Sequence, residues 1–98
     1  MKKNMIATNL WDASEHLEST EDMVAYLEVA LENGDPTLIT VVLGDIVRAK
    51  GMDEIAEKTG LDRTSLNISL STEGHPEFAT VLKVINALGI KLKVTAIH

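Results

Sequence analysis

The 98-residue chain has no cysteine, and its aromatic residues are one Trp, one Tyr and one Phe. Without cysteine there are no disulfides and no thiolate zinc sites, and the composition fits a cytoplasmic protein. No long apolar run follows Met1-Lys2-Lys3, so neither a signal peptide nor a membrane span is expected. His16, His75 and His98 lie far apart without ligand spacing, so no metal site is expected. The chain carries no P-loop, no dinucleotide fingerprint and no Gly-x-Ser-x-Gly elbow, so neither a cofactor nor an enzyme activity is expected. Basic residues are also short, nine against fifteen acidic, giving a net charge of −6.

What is present suffices for one small domain spanning residues 1–98. Apolar residues make up 45% of the chain, enough to pack a core and to exclude wholesale disorder. The charge is unevenly spread. Residues 1–47 hold two basic and nine acidic residues, a balance of −7, whereas residues 48–98 hold seven and six, a balance of +1. The acidic half suits a solvated face or a basic partner, and the near-neutral half leaves nucleic acid open.

Residues 1–18 are weakly patterned and read as an arm. Thr20-Glu21-Asp22 then offers a cap and first-turn carboxylates. Met23, Val24, Leu27, Ala30 and Leu31 follow at helical spacing up to Asn33-Gly34. Asp35-Pro36 opens a second helix with a cap and a proline at its first position, and its apolar set runs from Leu38 to Ala49. The β-branched run Ile39 to Val42 suggests a strand, but the cap, the period and the length favour a helix. Phe78, Val81, Leu82, Ile85 and Leu88 mark a last helix stopped by Gly89. From Ile90 to Ile97 the period changes to two, which predicts a strand over 90–97 with Ile90, Leu92, Val94 and Ala96 on one face. No partner strand is evident elsewhere in the sequence, so pairing with a second copy is expected, making a homodimer through these residues.

Residues 52–71, MDEIAEKTGLDRTSLNISLS, read as a helix-turn-helix. Ala56 is small where a crossing helix would press, Gly60 suits a left-handed turn, and Asp62 can cap the second helix. Leu66 and Leu70, one turn apart, point inward. The fold expected is therefore all-α, with about five main helices and a short C-terminal β-strand. The second helix of such a unit enters the major groove. Its exposed early positions are Arg63, Thr64, Ser65 and Asn67, with Ile68 beside them. Arginine can bridge guanine and asparagine adenine. Arg48, Lys50 and Lys58 flank the motif and are expected to position phosphates. In the acidic half Trp11, Leu17 and Tyr26 are candidate anchors for a protein partner, with packing into the domain's own core as the alternative.

The segments TEDMVAYLEVALENGDPTLI, LGDIVRAKGM, IAEKTGL and GHPEFATVLKVINALGIKL lie between about Trp11 and Val94. In them the chain resembles the addiction-module antidote proteins, HigA-related antitoxins also described as prophage DNA-binding proteins. The pairing of ALENGDP with FATVLKVINALG at this distance is the most distinctive part. The resemblance implies a lambda-repressor-like helix-turn-helix bundle. It also implies binding to a RelE/ParE-type toxin encoded alongside, and repression of the operon through operator DNA. The chain departs from that family at Asn67 and Ile68, where an aromatic and then a basic residue are common. It departs again at Met52-Asp53-Glu54, where a Thr-Gln pair is frequent. These exchanges remove a phosphate-attracting charge and add carboxylates near the expected DNA surface. Two alternatives therefore stay open, a phage-type regulator without a toxin and a protein-interaction module with a degenerate helix-turn-helix.

Overall fold

In the computed structural model, residues 17–97 are described, and they hold five helices and no strand. The first, α1 (Thr20–Asn33), starts on a reciprocal cap. Ser19 Oγ accepts from the Asp22 N–H at 3.1 Å, and Asp22 Oδ2 accepts from the Ser19 N–H at 3.2 Å. The cap thus falls one residue before Thr20, the residue nominated from sequence. Three positions after Ser19 stands a carboxylate, whereas three after Thr20 stands Met23, which cannot reciprocate. The helix ends at Gly34, whose φ of 81° is left-handed.

Asp35 caps α2 (Pro36–Lys50) by accepting from the Thr37 N–H at 3.0 Å, with Pro36 at the first helical position as expected. Arg48 and Lys50 occupy its last turn, where cations suit the negative end of the helix dipole. After Gly51 comes α3 (Met52–Thr59), which buries Met52, Ile55 and Ala56. A three-residue turn, Gly60-Leu61-Asp62, leads into α4 (Arg63–Ser69). Gly60 takes the left-handed conformation, with φ 74°, and its N–H bonds back to the Ala56 carbonyl. Asp62 Oδ2 accepts from the Ser65 N–H at 3.0 Å and so caps α4. A linker then leads to α5 (Phe78–Ala87).

The core is wholly apolar among the described residues. Leu43, Ile46, Val47, Ile55, Leu66, Leu70 and Val84 are its most completely enclosed side chains. Each such side chain contributes about 1.5–3 kcal/mol of burial. α1 packs on α2, α2 on α3, and α3 on both α4 and α5. Gly44 permits a close approach, because a Cβ there would run into the Leu70 carbonyl at the end of α4.

Residues 90–97 correct one expectation. Ile90 is buried against the core, but Leu92, Val94 and Ala96 are exposed, Val94 completely, and the segment has no regular secondary structure. The alternation is present in the sequence. A strand, however, needs a neighbour to accept its ladder of hydrogen bonds, and the described residues supply none. Among the described residues no helix is long and apolar enough to cross a membrane.

Candidate nucleic-acid interface

Leu66 and Leu70 fix the orientation of α4. Both are buried, so Thr64, Ser65 and Ile68 on the far side face outward, and Arg63 and Asn67, which flank the buried stripe, are exposed as well. Arg48 arrives from the last turn of α2 and joins them. Together Arg48, Met52, Arg63, Thr64 and Asn67 line one shallow depression of about 200 Å³. The structure thus brings together four of the residues nominated for DNA. Lys50 and Lys58 are exposed but lie outside this depression, and the Ile68 side chain is presented to solvent.

The polar groups here are linked to one another. Arg48 Nη1 donates to Asn67 Oδ1 at 3.2 Å, and its Nη2 lies 3.4 Å from Asp45 Oδ1. Asp45 Oδ2 in turn accepts from the Tyr26 hydroxyl at 2.9 Å. Burial, together with the negative Asp45 carboxylate that accepts its hydrogen bond, pushes the Tyr26 phenol well above its ordinary value. Arg63 pairs with Asp53 at 2.9 Å across the turn, and Lys58 with Glu54 at 3.0 Å along α3. Lys58, hydrogen-bonded to Glu54 and opposite in charge, holds that carboxyl below the usual range. The two carboxylates that looked out of place in the sequence are therefore counter-ions to two of the nominated cations.

The other nominated residues fall elsewhere. Trp11 lies outside the described residues. Leu17 belongs to the buried core, the alternative set beside its reading as a partner anchor, because the first apolar residue before the α1 cap closes over the bundle. Tyr26 is half-buried against the same core, with its hydroxyl engaged by Asp45. Exposed apolar groups are instead found on the outer side of α1, at Val24, Val29 and Leu31, and at Phe78 and Leu82 of α5. Sequence reading missed Asp45 and Gly44. Gly44 carries no local signal, since it acts through the Leu70 carbonyl, and for Asp45 only the i,i+3 spacing to Arg48 is local, its contact with Tyr26 coming from another helix.

Residues 7–96 match the family described as "Probable addiction module antidote protein". An uncharacterised protein of Haemophilus influenzae is 43% identical over 84 residues, covering 86% of this chain and 87% of that protein. No solved structure matches. With nearly the whole chain covered by the match, the protein belongs to the addiction-module antidote family.

Proposed function

We propose that this protein is the antitoxin of a type II toxin–antitoxin module, a non-catalytic protein that binds a RelE/ParE-type toxin and represses its own operon. The observation that carries the DNA-binding part is the convergence of Arg48, Arg63, Thr64 and Asn67 on the exposed side of α4. A short helix set after a three-residue turn, with its apolar side buried and its hydrogen-bonding side outward, has the form of a recognition helix. A homodimer is supported by segment 90–97, whose exposed Leu92, Val94 and Ala96 a second copy would cover. Two α4 helices held about 34–36 Å apart would then read an inverted repeat.

The toxin contact is assigned to the outer face of α1. Glu21, Glu28 and Glu32 are exposed there alongside Val24 and Leu31. A toxin that acts on RNA needs a basic surface to approach phosphate, so acidic cover is complementary to it. Removing α1 is not a usable test, because Met23, Leu27 and Ala30 belong to the core. Charge reversal is cleaner. Glu28→Lys with Glu32→Lys should reduce toxin neutralisation while leaving operator binding in place. For DNA, the expected result is a gel shift with the promoter of the gene itself, weakened by salt and lost in Arg63→Ala/Asn67→Ala. Unchanged affinity and sequence preference in that variant would remove the assignment of α4.

The Arg63–Asp53 and Lys58–Glu54 pairs favour a second reading, an interaction module that no longer binds DNA. Absence of any promoter binding at low salt, with toxin binding retained, would select it.

A further inference from the structure

Arg48 and Asn67 are 19 positions apart on different helices, yet Arg48 Nη1 donates to Asn67 Oδ1 at 3.2 Å. A guanidinium only donates, so the amide atom facing it is the oxygen. The amide is thereby oriented, and Nδ2 with its two N–H groups is the end left available. Arg48 is held from its other side by Asp45, only 22% exposed, which also accepts from Tyr26. The guanidinium therefore has a partner on each side before any ligand arrives.

This geometry changes what Asn67 can read. A free asparagine recognises adenine by giving its oxygen to the N6 amino group and its nitrogen to N7. Here an adenine amino group sharing that oxygen would sit beside the guanidinium, donor against donor. What the pair presents instead is Nδ2 of Asn67 and the remaining N–H groups of Arg48, a surface of donors alone. In the major groove the matching edge is guanine, whose O6 and N7 are both acceptors.

We propose that Arg48 and Asn67 form one composite unit that reads guanine, and that Asp45 and Tyr26 are positioning residues for it. Arg48 is then a specificity residue rather than a phosphate clamp. The inference rests on the DNA-binding reading above and specifies the base that this site takes.

The test is selection from a duplex pool with randomised bases, using the full chain, Arg48→Ala, Arg48→Lys, Asn67→Ala and the double alanine variant. Circular dichroism melting checks that each is folded. The full chain should select guanine at one position per half-site. Both single alanine variants should lose about tenfold preference at that same base pair, and the double variant little more. Arg48→Lys should not restore it, because an ammonium cannot span Asn67 and Asp45 with a fixed fork. Replacing that guanine with 7-deazaguanine should weaken the full chain and leave Asn67→Ala almost unaffected. Selection of adenine at the Asn67-dependent position would overturn the proposal. So would a uniform loss across all sequences in Arg48→Ala with a salt slope shallower by about one, the signature of a phosphate contact. A full chain that selects no sequence at all removes the DNA-binding reading itself, and this proposal with it.

Discussion

Gly44→Ala sets two effects of opposite sign against each other. Gly44 is buried in the middle of α2, where alanine improves helix propensity by about 1 kcal/mol. Against this, the added methyl would run into the backbone carbonyl of Leu70 and lie 2.8 Å from Arg48 Nη2. The arginine is half-exposed and can swing aside. The carbonyl belongs to a residue with no exposed surface, at the end of a packed helix, and yields only if α4 shifts. Overpacking of this kind costs about 1–3 kcal/mol, and a backbone collision belongs to the upper part of that range. The net expectation is destabilisation by about 1–2 kcal/mol, or roughly 5–15 °C in Tm for a domain of this size. Thermal and urea unfolding followed by circular dichroism measure it, with the urea slope unchanged if the denatured state is unaltered. Because relief of the clash moves α4 away from α2, the Arg48–Asn67 hydrogen bond should lengthen too. Operator affinity should then fall even at temperatures where the variant is fully folded. A Gly44→Ala protein as stable as the parent, or more so, would show that propensity wins and that α2 and α4 are not in tight contact.

Asp53→Asn releases Arg63 and deletes a carboxylate beside α4, so operator affinity should rise a few-fold, in line with the roughly 0.2–1 kcal/mol of an exposed pair. Fluorescence anisotropy at low and high salt checks this, and a loss of affinity would mean that the pair orients Arg63 productively. The raised phenol of Tyr26 has a stability consequence at high pH: the folded form keeps its proton where the unfolded form loses it. Stability is therefore insensitive to this group below about pH 10 and declines above it, a decline that Tyr26→Phe should remove. As the chain has one tyrosine, phenolate absorbance reports this group alone, and a simple titration near pH 10 in the folded protein would contradict the burial. Truncation after Ile90 keeps that buried side chain but deletes Leu92, Val94 and Ala96; sedimentation should show a folded monomer, and a persisting dimer would place the interface elsewhere.

Helix positions were legible because each start and stop has its own local chemistry. Asp35-Pro36, Asp62 and the glycines at 34, 60 and 89 mark boundaries within a residue or so, and the cap at Asp35 correctly outweighed the β-branched run Ile39 to Val42. The inward face of α4 was equally readable from Leu66 and Leu70. The segment 90–97 was not, because alternation describes a strand's faces while pairing decides whether a strand exists. The site was half legible. Arg63, Thr64 and Asn67 could be nominated from one helix, but the meeting of Arg48 with Asn67 depends on the approach of α2 to α4 at Gly44. Asp53 and Glu54 counted against DNA in the sequence because charge composition does not reveal which cation each carboxylate faces.

The packing order of the helices also bears on how the chain folds. α1 rests on α2, α2 on α3 and α3 on α4, each on its neighbour in sequence, while longer loops close where α5 returns to α3 and where α4 meets α2 at Gly44 and Arg48. Neighbour contacts close short loops, so assembly on the microsecond-to-millisecond scale is expected. α5 should dock last and open first, as a unit. Native-state hydrogen exchange should show amides around Val84 and Ile85 exchanging before those around Leu43 and Ile46. In that partly open form α4 keeps its seat against α3 and beneath Gly44, so the exposed cluster of Arg48, Arg63, Thr64 and Asn67 outlasts the helix that completes the core.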